Sequence, residues 1–344
     1  MRLANVADQQ VAVGTLRRAI DAQRVPHAYL FDGPEGVGKL LTARAWAAAL
    51  NCESRSGDAC EKCESCRKIF KDVHPDVRVL GVPEGKVRVP IELVREAERW
   101  LALPAHEGRA KVLIIDPADQ MSAAAANALL KTLEEPRPGS YLVLITAAAT
   151  SLLPTVRSRC HRLAFRPLSE ETVDRLLRER GRDEEMARML AALSGGSMKR
   201  AAQYEDEKLS GRLDAVLDLV EAATERTPER ALAVAAGLRG NRAESVAVLD
   251  LVLVLLGRLL WASTGGELEK ADNVLSRRLG ERYQKLARES EVTRIAACMA
   301  AFDRALAGIR RNNANPQLAV EGALTAVRGR LPLAEKWGRI GIER

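Results

Sequence analysis

The sequence predicts an α/β domain with a parallel sheet, followed by a part that is helical throughout. In residues 1–166, short apolar runs alternate with segments of helical periodicity, a pattern typical of parallel α/β sheets. After Pro167 the strand signals end, and only helical patterns follow. The composition is 47% apolar but only 3% aromatic, and alanine and leucine dominate it, which agrees with a globular and largely helical chain.

Charge and hydropathy narrow the class of protein. The 344 residues include 53 basic and 46 acidic side chains, a net charge of +7 that permits nucleic-acid contact without requiring it. The first residues carry no apolar segment typical of a secretory signal, and the longest apolar run, Leu251 to Leu256, is too short to span a bilayer. We therefore expect a cytoplasmic protein, in which six cysteines indicate metal ligands or free thiols rather than disulfides.

The elements of the first part follow one another in βα order. His27 to Asp32 is predicted to be a strand that enters a glycine-rich turn, and an alanine- and leucine-rich helix follows over residues 40–50. Further strands are predicted at 77–80, 112–115 and 141–146. Helices are predicted at 91–101 and 123–133, and a short helix is predicted to begin near Pro154. The predicted organisation has three parts: an α/β domain over residues 1–166, a small helical lid over 167–207 and a helical bundle over 208–344.

The glycine-rich turn is the strongest phosphate-binding signal. Its glycines, Gly33, Gly36 and Gly38, let backbone N–H groups surround a phosphate at the start of a helix, and Lys39 would reach the terminal phosphates. A purely structural glycine-rich turn is the alternative. Leu40 stands where such a P-loop needs Ser or Thr for Mg²⁺, so the site is predicted to be degenerate.

A second catalytic position is also altered. Asp116 ends the strand at 112–115 and is the acidic residue expected near Mg²⁺. The next residue is Pro117, where hydrolysing relatives place a glutamate that polarises the attacking water. Because both positions lack the required oxygen atoms, we expect no ATP hydrolysis by this chain, whereas nucleotide binding without turnover stays open.

Four cysteines form a set with metal-ligand spacing. Cys52, Cys60, Cys63 and Cys66 lie within fifteen residues of a polar insert, and two of the spacings are C-x2-C. Four thiolates complete a tetrahedral Zn²⁺ site of the structural kind, with no position left for catalysis. Unliganded thiols and an iron–sulfur cluster are the alternatives. Cys160 and Cys298 lie outside the set and are expected to be small buried apolar residues.

Taken jointly, the motifs resemble the AAA+ clamp-loader family of bacterial DNA polymerase III over nearly the whole length. The resemblance covers His27 to Phe31, the four cysteines, His74-Pro75-Asp76, Lys111 to Asp116, Asn127 to Pro136, Pro154 to Cys160, and Asn313 to Pro316 with Leu318 and Leu324. It implies a RecA-like AAA+ domain with a zinc module at 52–66, a helical lid, and a collar domain over 208–344 that mediates oligomerisation.

The resemblance also implies a function. The Leu40 and Pro117 departures fit a non-hydrolysing subunit of the clamp loader, which belongs to the polymerase holoenzyme and helps load the sliding clamp onto primed DNA during replication. Motor subunits (gamma/tau) and the delta subunit are the implied partners through the collar. Taken alone, Arg159 is more typical of a solvated surface arginine. The resemblance places it at the position of an arginine finger, which acts on the ATP of a neighbouring subunit. The alternative is an active ATPase motor subunit of the gamma/tau type.

Overall fold

A five-stranded parallel sheet organises the first half of the chain. The computed structural model describes residues 2–54, 57–86, 88–204, 209–225, 228–238, 242–264, 281–286, 288–312 and 314–327. The strands are β1 (Ala28–Asp32), β2 (Val77–Leu80), β3 (Lys111–Ile115), β4 (Ser140–Thr146) and β5 (His161–Ala164). They lie in the order β2-β3-β4-β1-β5, and every neighbouring pair is parallel. The predicted parallel sheet is confirmed.

Six helices accompany the sheet, and the sequence predicted four of them. They are α1 (Gln10–Asp21), α2 (Lys39–Asn51), α3 (Glu64–Phe70), α4 (Ile91–Leu101), α5 (Ala123–Glu134) and α6 (Pro154–Arg157). The predicted helices at 40–50, 91–101 and 123–133 correspond to α2, α4 and α5, and the short helix expected from Pro154 is α6. The helices α1 and α3 and the edge strand β5 are additional findings.

Helices pack on both faces of the sheet. Because side chains of a strand alternate between its faces, β3 contributes Leu113 and Ile115 to one apolar core and Val112 and Ile114 to the other. The first core contains apolar residues of α4 and α5, and the second contains those of α1 and α2. Burying each such Leu, Ile or Val side chain stabilises the fold by about 1.5–3 kcal/mol. Both faces are covered, which explains why β3 is an uninterrupted apolar run after Lys111.

The chain divides into an N-terminal unit, Met1–Thr172, and a C-terminal unit, Val173–Arg344. The described helices from residue 170 onward are α7 (Glu170–Glu179), α8 (Glu184–Ser194), α9 (Met198–Gln203), α10 (Leu209–Glu225), α11 (Pro228–Gly237), α12 (Arg242–Ser263), α13 (Val292–Asn312) and α14 (Pro316–Val327). No strand is assigned among the described residues after Ala164, as the sequence predicted. The separation of this region into a lid and a collar stays a prediction, and residues 328–344 and Asn313 of the expected collar signature lie outside the described residues.

One helix of the C-terminal unit is unusually apolar. The α12 helix is long and apolar enough to cross a membrane by length and composition alone, but buried core helices of soluble proteins pass the same test. Half of its most apolar window is buried inside the unit. Its Asp250 carboxylate is paired with Arg310 at 2.5 Å and lies 3.7 Å from Arg200, so this helix carries a buried carboxylate that partly exposed arginines neutralise.

Candidate functional site

The predicted phosphate-binding turn lies at the carboxyl end of β1, where it leads directly into α2. The Gly33 N–H donates to the carbonyl of Thr146 at the end of β4 (3.3 Å), which ties the turn to the sheet edge. A methyl group at Gly33 would collide with the backbone oxygen of Phe165 and lie 2.9 Å from its Cβ atom. Gly38 precedes α2 with φ 94°, a left-handed conformation that favours glycine. These two positions explain why the turn is glycine-rich.

Lys39 makes its hydrogen bonds inside the turn itself. Its ammonium group donates to the carbonyls of Gly33 and Pro34, each at 2.5 Å, and the side chain is only 6% exposed. Burial lowers the pKa of Lys39, while the nearby carboxylates, of which Asp116 contributes most, act in the opposite direction. A phosphate bound here would therefore have to draw the ammonium group away from two backbone carbonyls.

The position after the lysine supplies no ligand for a metal ion. Leu40 packs against the apolar core that contains α1 and α2. The nearest hydroxyl on this helix, that of Thr42, is 0% exposed and donates to the carbonyl of Gly38 at 2.8 Å. The start of α2 therefore presents apolar surface where a hydrolysing P-loop presents a hydroxyl.

Two carboxylates follow the carboxyl end of β3 and lie near the phosphate-binding turn, and the sequence predicted one of them. Asp116 follows β3, as predicted, and contributes to the charge around Lys39, whereas its expected role near Mg²⁺ stays a prediction. Asp119 also contributes to that charge, and its Oδ1 accepts a hydrogen bond from the Thr146 hydroxyl at 2.6 Å. Only its position three residues after Asp116 could have signalled this role. The structure thus brings Lys39, Asp116 and Asp119 to one edge of the sheet.

The four cysteines of the insert are brought together. Their Sγ atoms all lie within 4.8 Å of one another. Backbone N–H groups donate to three of these sulfurs: Cys60 N to Cys52 Sγ (3.3 Å), Cys63 N to Cys60 Sγ (3.3 Å) and Cys66 N to Cys63 Sγ (3.4 Å). Such N–H donors stabilise thiolates, which are the form that binds a metal ion. Hydrogen bonds from backbone N–H groups, that of Cys63 first, lower the pKa of Cys60 to about 6.

The arrangement fits a four-coordinate metal ion. A tetrahedral site with Zn–S bonds of about 2.3 Å requires sulfurs about 3.8 Å apart, and the observed cluster needs only a small contraction to reach that spacing. Cys52 and Cys66 are buried and pack with Ala48 of α2, Ala59 and Ile69. Burial raises the pKa of the Cys66 thiol, so an ion at this place would offset the cost of its thiolate. The four cysteines could hold a metal ion, as predicted; the identity of that ion stays a prediction.

Arg159 follows α6 and precedes β5. Its side chain is 36% exposed, and its guanidinium donates to Oε1 of Glu134 at 2.5 Å and to the carbonyl of Thr155 at 3.0 Å. Glu134 is the last residue of α5, so the pair joins the ends of two helices. An accessible arginine held by one exposed carboxylate is available to an anion that outcompetes that carboxylate.

Comparisons with known proteins find similarity to DNA polymerase III subunits. A family model described as DNA polymerase III, delta subunit, matches residues 8–169. DNA polymerase III subunit delta' of Bacillus subtilis is 34% identical over 213 residues, 61% of this chain and 64% of that protein. Subunit delta' of Pseudomonas aeruginosa is 39% identical over 175 residues, 50% of this chain and 53% of that protein. Subunit tau of Escherichia coli is 30% identical over 280 residues, 74% of this chain and 43% of that protein.

The matched region covers less than two thirds of the length of each of these relatives. Among solved structures, a gamma subunit-related protein from Thermotoga maritima is similar with a TM-score of 0.42 and 18% identity, over 94% of this chain and 99% of that chain. The sequence matches confirm the expected family resemblance. The family model and the delta' relatives, at 34% and 39% identity, support a resemblance to the delta' subunit.

Proposed function

From its resemblance to the delta' subunits of bacterial DNA polymerase III, we propose that this chain is a non-hydrolysing, delta'-like subunit of a clamp loader in the cytoplasm. In that role it would help to load a sliding clamp onto primed DNA. The observation that carries the proposal is the phosphate-binding turn, which keeps its backbone form but lacks the groups for hydrolysis. Leu40 is part of the apolar core, and Pro117 stands where a catalytic carboxylate is needed.

The contacts of Lys39 support the same proposal. In a working P-loop the lysine ammonium pairs with phosphate oxygens, whereas here two backbone carbonyls of the turn hold it at 2.5 Å. Two of the three N–H donors of the ammonium group are therefore engaged within the turn itself. A subunit that serves as a rigid partner of motor subunits needs a turn of this kind, because its conformation should not depend on ATP.

Arg159 is proposed to act on the ATP of a neighbouring motor subunit of the gamma/tau type. A guanidinium at a transferring phosphate stabilises the charge of the transition state, and arginine fingers contribute about 10³–10⁵ in rate. The bond to Glu134 would have to open for this, and since both side chains are exposed, that opening costs about 1 kcal/mol or less. The predicted site residues thus have two proposed roles: the phosphate-binding turn forms a nucleotide site that does not hydrolyse ATP, and Arg159 supports hydrolysis in a neighbouring subunit.

The remaining assignments follow from the same resemblance. Residues 167–207 are proposed to form the lid, and the helices from α10 onward, within residues 208–344, are proposed to form the collar through which motor and delta subunits assemble. The cysteine cluster is proposed to hold a structural zinc ion through Cys52, Cys60, Cys63 and Cys66, which would keep the insert folded against α2. Four protein ligands leave the ion no open coordination position, so no catalytic step is assigned to it.

A motor subunit is the second candidate function. The match to the tau subunit of Escherichia coli, 30% identity over 280 residues, favours it. A motor requires a hydroxyl at position 40 and a carboxylate at position 117, and the chain has Leu40 and Pro117. ATP turnover by the purified chain, abolished in the Lys39→Ala variant, would establish the motor function and overturn the proposal.

Reconstitution with the cognate subunits tests the proposed role directly. We expect Arg159→Ala to leave assembly intact while reducing DNA-stimulated ATP turnover and clamp loading, because one neighbouring ATP site loses its arginine. Lys39→Ala should have little effect on turnover. Arg17→Ala, which removes another exposed arginine of the same unit, serves as the charge control. If Arg159→Ala and Arg17→Ala reduce ATP turnover and clamp loading equally, Arg159 does not act on the ATP of a neighbouring subunit.

A further inference from the structure

The amino-terminal segment, defined as residues 3–9, contacts the cysteine insert at one end and the phosphate-binding turn at the other. It begins with a 3-10 turn over Leu3–Asn5 and ends where α1 starts. The Leu3 side chain is 0% exposed and belongs to the apolar core that contains α1 and α2. Because a single helical turn is not stable on its own, contacts with the rest of the N-terminal unit must fix this segment.

Asp58 of the insert holds the start of the segment. Its Oδ1 accepts a hydrogen bond from the Leu3 N–H at 2.8 Å, and its Oδ2 accepts one from the Ala4 N–H at 3.1 Å. Asp58 is only 8% exposed, and hydrogen bonds to an ionised carboxylate are stronger than those between neutral groups. The bond from the Ala59 N–H to Oδ1 (2.7 Å) lies within the loop itself. The bonds from Leu3 and Ala4, which are 55 and 54 positions away, join two distant parts of the chain.

The cysteines on either side of Asp58 set its position. Cys52 and Cys60 enclose the loop that contains it, and the Cys60 N–H donates to the Cys52 Sγ at 3.3 Å. Ala59, the next residue, is 1% exposed and belongs to the same apolar cluster as Cys52. A metal ion bound by both cysteines would add two coordinate bonds to this weak closure of the loop, and would thereby fix the carboxylate in place.

Gln9 fixes the other end of the segment. Its Nε2 donates to the carbonyl of Arg166 at 2.8 Å and to that of Val37 at 3.5 Å, while its Oε1 accepts a hydrogen bond from the Arg166 N–H at 3.0 Å. The Gln9 side chain is buried, at 3% exposure. Val37 belongs to the phosphate-binding turn, and Arg166 follows β5. A displacement of residues 3–8 would therefore reach the turn through the Gln9 amide group.

We propose that the cysteine insert is a metal-dependent anchor of the amino-terminal segment and, through Gln9, positions the phosphate-binding turn. The inference rests on the proposed function only in taking the four cysteines as a metal site. Asp58 is a positioning residue, because it acts on the turn through the segment. Burial of the Leu3 side chain is the simpler explanation of the ordered segment, but it would hold the segment equally well without Asp58 and without a metal ion.

Removal of the metal ion from the full chain is the first test. When a chelator has removed the ion, the NMR order parameters of the Leu3 and Ala4 amides should fall from about 0.85, typical of a rigid backbone, to below about 0.6. Zinc added back should restore them. The amides of β3 should keep order parameters of about 0.85, because both apolar cores cover that strand and the anchor acts locally.

Asp58→Ala tests the anchor while the cysteines remain. The change removes both acceptor oxygens, so the Leu3 and Ala4 amides should exchange with solvent about tenfold or more faster than in the wild type. The Arg166 N–H should also exchange faster, since the Gln9 oxygen that accepts its hydrogen bond is displaced with the segment. Elemental analysis should find the same metal content in the variant as in the wild type.

Asp72→Ala is the matched control, because it removes another carboxylate of the same unit, one that is 53% exposed and paired with Arg44. It should change these exchange rates by about twofold or less. Equal increases in Asp58→Ala and Asp72→Ala, an unaltered Arg166 N–H, or an ordered segment in the metal-free chain would overturn the proposal. A loss of order in β3 on removal of the ion would do the same, because the ion would then stabilise the whole unit.

Three outcomes separate this inference from the proposed function. If the wild type binds one ion and its removal leaves the segment ordered, the anchor fails and the metal site stands. If the wild type binds no ion, the metal site and the metal-dependent anchor both fail. If the segment responds as expected but the chain supports no clamp loading with cognate subunits, the clamp-loader function fails and the anchor stands.

Discussion

Asp76 precedes β2 and gives the clearest test of how the N-terminal unit is held together. Its carboxylate is 0% exposed and accepts three backbone hydrogen bonds, from His106 (2.7 Å), Glu107 (2.9 Å) and Gly108 (2.8 Å). The loop between α4 and β3 is thereby fixed to the start of β2. The ammonium group of Lys111, which is 5% exposed, lies 4.0 Å away. We expect Asp76→Asn to destabilise the N-terminal unit by about 3–5 kcal/mol.

The magnitude follows from counting acceptors. A carboxylate offers two acceptor oxygens, whereas the amide of asparagine offers one oxygen and turns two N–H donors toward backbone N–H groups. At least one N–H of the loop then has no partner, at a cost of about 1–3 kcal/mol, and Lys111 loses the opposite charge that lies 4.0 Å from its ammonium group. A loss of this size is a large fraction of the roughly 5–15 kcal/mol that stabilises a typical domain.

The pH dependence has a definite sign. Burial raises the pKa of Asp76, but the backbone N–H bonds from Gly108, His106 and Glu107 outweigh it, so the net pKa lies below its ordinary value. A carboxyl group whose pKa is lower in the folded chain contributes its stability above the unfolded pKa of about 3.9 and loses it as the pH falls through the folded value. The difference between wild type and Asp76→Asn should therefore be full at neutral pH and shrink below about pH 4.

Urea unfolding and hydrogen exchange of the amides at 106–108 would measure the effect. Asp72→Asn is the matched control, because it makes the same chemical change four residues away, at a carboxylate that is 53% exposed and paired with Arg44 at 2.8 Å. An exposed pair of this kind contributes about 1 kcal/mol or less. If the two variants unfold at the same urea concentration and the loop amides exchange no faster in Asp76→Asn, the argument from the three hydrogen bonds is wrong.

Three further changes have definite expected outcomes. Gly33→Ala should destabilise the N-terminal unit by about 1–3 kcal/mol in urea unfolding, because the added methyl group meets the backbone that follows β5; wild-type stability would contradict this. We expect elemental analysis to find one metal ion per wild-type chain, and Cys63→Ser/Cys66→Ser should abolish it and speed hydrogen exchange in the insert. An ordered wild-type insert that contains no metal would refute the structural role. Glu134→Gln should free Arg159 and, in the reconstituted complex, leave ATP turnover equal to or above wild type; a loss as large as that of Arg159→Ala would show that the pair itself is required.

The elements that the sequence predicted share a strong local pattern. The strands β1, β3 and β4 are uninterrupted apolar runs because helices cover both faces of the sheet. The edge strand β5 went unpredicted because only Leu163 of its four residues is buried, so it shows no alternation. The helix α3 is short and lies among the cysteines, where the spacing for metal ligands dominates the local sequence. The other edge strand, β2, was predicted although none of its residues is fully buried. The sequence pattern thus predicted the central strands consistently and only one of the two edge strands.

In the candidate site, groups of residues close in sequence were predicted, whereas contacts between residues far apart in sequence were not. The phosphate-binding turn and the cysteine set are local spacings, and their members do lie together. Pairs such as Asp119 with Thr146, or Glu134 with Arg159, join residues that are 27 and 25 positions apart, and no spacing rule connects them. Such groupings follow from the order of strands in the sheet, which the sequence pattern left open.

The proposed loss of hydrolysis and the stability of the phosphate-binding turn have a common physical basis. In a nucleotide-dependent turn, a buried lysine without phosphate is costly, so the empty state is strained or mobile. Here two carbonyls of the turn accept hydrogen bonds from the Lys39 ammonium group at 2.5 Å. Leu40 adds apolar contact at the position where a hydrolysing P-loop has a hydroxyl that binds Mg²⁺. Of the two departures from a hydrolysing site, Leu40 both removes a hydroxyl and adds apolar contact at the start of α2. We therefore expect the turn to keep one conformation whether or not ATP is present, which is the property that a partner of ATP-driven subunits requires.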